Sequence, residues 1–73
     1  MSSPFRGPKP GTYAFHCEQA QKYEERKWWL EAKEAWGKAV RVARRQDNWL
    51  MATARRDFCQ RKLEQIRERE QSR

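Results

Sequence analysis

The 73-residue chain has one histidine, His16, two cysteines, Cys17 and Cys59, and no serine between Ser3 and Ser72. That supply is too thin for a catalytic constellation, which needs a nucleophile, a base or a metal held by a rigid pocket, so an enzyme is not expected. There is no Cys-x-x-Cys pair, and His16 and Cys17, being adjacent, diverge on a helix and do not easily chelate one ion. The cysteines read as buried reduced thiols, with no metal and no cofactor implied. No apolar run exceeds a few residues, so neither a signal peptide nor a membrane anchor is expected and the chain reads as cytoplasmic. All three prolines and two of the three glycines fall in residues 1–11, which leaves the rest almost free of helix breakers.

What is abundant is positive charge and helical periodicity. The net charge is +7, and residues 38–62 hold eight basic side chains against Asp47 and Asp57, leaving +1 for everything else. Such a zone attracts nucleic acid, anionic lipid or an acidic protein face, and charge alone does not choose among them. Its candidate basic patch is Arg41, Arg44, Arg45, Arg56, Arg61 and Lys62.

The spacing predicts an all-α fold: a small three-helix domain, a helical hairpin plus a long C-terminal helix, over residues 12–70. A disordered arm (1–11) precedes it and a tail (71–73) follows. Thr12 caps a first helix to about Arg26, with Tyr13, Cys17, Ala20 and Tyr23 on its apolar side. The second, about Trp29 to Arg44, places Trp29, Ala32, Ala35, Trp36, Ala39, Val40 and Ala43 on one face. Alanines at this density let a neighbouring helix approach closely, with Gly37 beside Trp36 permitting close contact. Asp47 or Asn48 caps the third, from Trp49 to about Glu70, with a stripe of Trp49, Ala52, Cys59, Leu63 and Ile66. Trp28, Trp36 and Trp49 read as core, and Glu24, Glu25, Glu31 and Glu34 as solvated charges.

The third helix also carries a second apolar row, Met51, Ala54 and Phe58, and should overhang its neighbours at Leu63 and Ile66. Three short helices cannot bury that much apolar surface, so self-association or partner binding is expected. The expected interface is Met51, Ala54, Phe58, Leu63 and Ile66, with Arg55 at its rim beside Arg56, Arg61 and Lys62. Direct reading of DNA sequence is disfavoured. The third helix opens Trp49-Leu50-Met51-Ala52, without base-reading groups, though arginines can contact phosphates weakly and non-specifically.

The arrangement Ala20…Tyr23-Glu24…Trp28…Ala32…Ala35-Trp36…Ala39…Ala43…Asn48-Trp49…Ala52…Arg55…Phe58-Cys59 resembles the ANR (AraC negative regulator) family of Gram-negative bacteria and their mobile elements. The resemblance spans roughly residues 13–60. The PerC-like virulence regulators share a similar tryptophan–alanine–tryptophan–arginine–cysteine pattern. The chain departs from the ANR pattern at Glu25-Arg26-Lys27-Trp28, where a glycine turn is expected. The resemblance implies a small, dimeric, non-enzymatic transcription regulator that binds AraC/XylS-type activators and blocks their dimerisation or DNA binding. Engagement of the histone-like nucleoid-structuring protein is a further implied partnership. The PerC-like alternative implies a basic regulator that contacts DNA phosphates directly. No membrane partner is implied.

Overall fold

The computed structural model describes residues 9–71, with side chains to residue 70, so most of the expected arm and the last two residues of the tail lie outside the described residues. Within them the chain is all-α: α1 (Tyr13–Glu25), α2 (Trp29–Val42) and α3 (Gln46–Gln71). At 1.5 Å per residue α3 is roughly 39 Å long against roughly 21 Å for α2, and it runs back past the first corner as expected.

α1 starts where its cap dictates. Lys9 to Thr12 form a turn in which the Thr12 hydroxyl donates to the Lys9 carbonyl at 2.8 Å and accepts from the Phe15 N–H at 3.2 Å. Gly11 supplies the positive φ, +86°, that this turn needs. At the other end the chain stops α1 without glycine. Lys27 takes the left-handed conformation (φ 61°), the Trp28 N–H reaches the Tyr23 carbonyl at 2.9 Å, and the Lys27 N–H reaches Glu24 at 2.9 Å. This is the Schellman pattern, and its usual apolar contact is made by the stacked rings of Tyr23 and Trp28, 6.0 Å apart. The lysine holds the position where glycine costs least.

The second corner differs from the expected boundaries. α2 ends at Val42, not Arg44, because Ala43 is already extended (ψ 127°). α3 begins at Gln46, not Trp49, its first turn closed by the Trp49 N–H on the Arg45 carbonyl at 3.0 Å. Asp47 therefore sits inside the first turn, where its charge complements the helix dipole, and it is not the cap.

α2 is the middle element, and α1 and α3 both pack along it. The core is made of small side chains: Ala20, Ala32, Ala35, Ala39 and Ala52, with Cys17, Cys59 and the one large buried ring, Trp36. Tyr13, Tyr23, Trp29, Val40 and Phe58 pack against its margin. Two aromatics expected in the core are not there. Trp28 and Trp49 are 47% and 46% exposed, the first used up in closing the corner and the second placed in α3's opening turn. Gly37 makes no close approach either; a Cβ there would meet only the Arg56 stem, at 3.9 Å.

Candidate protein-contact surface

The elements are fixed to one another by a carboxylate the sequence reading placed in solvent. Glu24 lies on α1 four residues after Ala20, and its side chain is only 15% exposed. Its Oε2 accepts from the Trp36 indole Nε1 on α2 at 2.6 Å and from the Cys59 thiol on α3 at 3.5 Å. Its Oε1 is gripped by the Arg55 guanidinium. One residue thus ties all three helices, and a buried indole N–H and a partly buried charge are both satisfied. Burial first, then the neighbouring Glu24 charge and hydrogen bond, push the Cys59 thiol up to about 12. A second tie joins α1 to α3, where the Tyr13 hydroxyl donates to the Asn48 carbonyl at 3.0 Å; burial raises that phenol to about 12. Burial also raises Cys17, so both thiols are free, buried and held protonated.

This frame accounts for two residues expected at the interface. Arg55 is turned inward to Glu24 and also lies over the Phe58 ring at 4.4 Å. Phe58 is half-buried, edge-on to Trp29 at 5.8 Å, with the Lys62 ammonium over both rings at 5.4 and 5.8 Å. The expected row is therefore not one surface. Met51 and Ala54 are exposed near the start of α3, while Leu63 and Ile66 lie some way along it, past Phe58.

The basic patch divides the same way. Arg41, Arg44 and Arg45 cluster at the second corner, all exposed, and Arg45 pairs with Asp47 at 3.4 Å. Arg61 lies about 24 Å further along α3, on the side away from the core. Arg56 lays its stem beside Gly37 and reaches Asp57 at 4.0 Å, and Lys62 covers the Trp29–Phe58 pair.

Two ends result. At the second corner Trp49, Leu50 and Met51 are 46%, 53% and 43% exposed, in one turn flanked by the arginine cluster. At the opposite end Leu30, Leu63 and Ile66 share a hollow of about 360 Å³ with Lys33, Gln60, Glu64, Arg67 and Glu70. Leu30 was not expected in any site; its position off α2's alanine face was the available signal. Leu63 is half-buried there, so the corner covers part of what the overhang was expected to leave bare. No helix among the described residues is long and apolar enough to cross a membrane. Comparison with protein families, curated proteins and solved structures finds no match.

Proposed function

We propose that the chain is an ANR-like transcription regulator that works by contact, seizing an AraC/XylS-type activator with the second-corner end of its hairpin and inhibiting it. The observation that carries this reading is the turn in which Trp49, Leu50 and Met51 stand about half exposed beside Arg41, Arg44 and Arg45. A soluble helix that spends three large apolar side chains on solvent, while its core is built from alanine, presents them to something. Aromatic and arginine side chains are the types that anchor protein interfaces, and the arginines select an acidic rim on the partner. Like charge on this end also disfavours pairing with a second copy of itself.

A second reading rests on Arg41 and Arg44, which make no ion pair among the described residues and could meet DNA phosphates in the PerC-like manner. Salt separates the two. Binding to phosphates weakens steeply, log K falling linearly with log salt, whereas an apolar contact rimmed by charge responds weakly.

The test is a mobility-shift assay of purified AraC/XylS-type activators from the host on their promoter DNA, titrated with this chain. The expected result is release of the activator from DNA by the wild type and no release by Leu50→Asp or Arg44→Glu. A chain that leaves every activator on its DNA while shifting the DNA itself, more weakly as salt rises, would instead establish the phosphate reading.

A further inference from the structure

We infer that the hollow between the start of α1 and the second corner binds a small phosphate monoester. The hollow has a volume of about 520 Å³ and is lined by Thr12, Tyr13, Val42, Arg44, Arg45 and Asn48. That volume is in the range that takes a small ligand. The start of α1, the end of α2, the corner and α3 all contribute to its walls, which carry two cations and no acid. Asp47, outside the lining, meets Arg45 at Nε, 3.4 Å away, so the two terminal nitrogens of that guanidinium remain for a ligand. Arg44 makes no ion pair among the described residues.

The chemistry of the walls selects the ligand. The Thr12 hydroxyl donates to the Lys9 carbonyl and the Tyr13 hydroxyl to the Asn48 carbonyl, so neither has a proton to offer. The donors left among the lining side chains are the two guanidiniums and the Asn48 amide. α1 adds to the same sign, since it opens on this wall with no acidic side chain in its first turn to offset its dipole. Guanidinium forks match the oxygens of a phosphate two at a time. A monoester carries about −1.5 to −2 charge at pH 7, whereas a nucleic-acid backbone diester carries one negative charge, so two arginines on one hollow favour the monoester. The shape agrees: a duplex presents its phosphates on a convex rod, while a terminal phosphate can enter a concavity. Tyr13 and Val42 give the organic body of the ligand an apolar wall. Arg41, on which the DNA reading leans, does not line the hollow. The site does not rest on the activator reading either, and its test needs no activator.

Calorimetric titration at physiological ionic strength tests it, with phenyl phosphate as the monoester and methyl phenyl phosphate as a diester of similar size. The wild type is expected to bind phenyl phosphate, and the diester about tenfold more weakly. Inorganic phosphate, with no body to lay on Tyr13 and Val42, should also bind more weakly. Arg44→Gln and Arg45→Gln change exposed positions and should keep the helical circular-dichroism signal, yet each is expected to lower affinity for phenyl phosphate about tenfold. Arg41→Gln, at the same corner but outside the hollow, should leave that affinity near wild type. No binding at millimolar phenyl phosphate, or a diester or inorganic phosphate bound as tightly, would overturn the proposal. So would an Arg41→Gln loss as large as that of Arg44→Gln, because binding would then follow only the positive field of the corner.

Discussion

The two ends of the α2–α3 hairpin expose the same kind of side chain in different electrostatic settings. At the second corner Trp49, Leu50 and Met51 sit among arginines; at the far end Leu30 and Ile66 border a hollow with two bases and two acids, and Lys27, Lys62 and Arg69 line the hollow on the other side of Ile66. On the proposed reading the apolar content of the second corner makes the contact, and its charge selects the partner. An end that carries charge of one sign repels its own copy and favours an oppositely charged surface. Between them lies a middle that exposes little and is held by Glu24, so the ends are positioned by one frame yet chemically independent.

The comparison breaks first if the frame is removed. Trp36→Ala deletes the one large ring of an alanine core and the indole that Glu24 accepts, and should cost about 3–5 kcal/mol in urea unfolding, disabling both ends together. Loss of one end alone in that variant would mean the ends are not held by a common core. Glu24→Gln sharpens the point. It keeps the shape but weakens the grip on Arg55, Trp36 and Cys59, and a loss of about 1–3 kcal/mol is expected by the same measurement. A Glu24→Gln protein as stable as the wild type would return Glu24 to the solvated surface.

Alkali probes the same frame by direction. The Cys59 thiol and the Tyr13 phenol, with ordinary values of 9.0 and 10.0, are both raised to about 12. The folded state thus holds their protons more tightly than the unfolded chain. Their contribution is intact below about pH 9 and is lost as pH rises towards 12. Unfolding midpoints should fall across that window, and less steeply in Tyr13→Phe. Smaller still is Lys27→Gly, which relieves a left-handed residue at the first corner and should raise stability by about 0.5–1 kcal/mol in thermal unfolding. At the bottom of the scale, Leu50→Ser and Ile66→Ser remove half-exposed side chains and should each move stability by no more than about 0.5 kcal/mol. Larger losses would make those residues core.

Much of the frame was legible in the sequence. The alanine spacing of α2 named its buried face, Thr12 named the start of α1, and the long third helix was evident from its unbroken pattern. The Glu24 network was legible in principle. Glu24 extends the Cys17–Ala20 stripe, and Arg55 lies between Ala52 and Cys59 on the stripe facing it, so an acid and a base share buried faces. Reading Glu24 with its charged neighbours instead of by its phase hid this. Trp28 and Trp49 misled because a large aromatic at a corner can close a turn or stand beside it as easily as enter a core. The single expected interface failed on geometry: Phe58 and Arg55 turn inward between Met51 and Ile66, so one apolar row becomes two separated surfaces. It follows that most residues carrying the family resemblance, among them Ala20, Glu24, Trp36, Ala52, Arg55 and Cys59, build the core and its network. The contact residues proposed here lie largely outside that pattern.

The most direct test of the account compares two variants, Arg41→Glu/Arg44→Glu at the second corner and Ile66→Asp at the far end. Each is measured for folding by circular dichroism and for capture of a purified AraC/XylS-type activator by co-elution. The account predicts that both keep the wild-type helical signal, that the arginine variant captures no activator, and that Ile66→Asp retains capture. Capture by the arginine variant like the wild type, or loss of capture in a folded Ile66→Asp, would contradict the placement of the activator contact at the second corner.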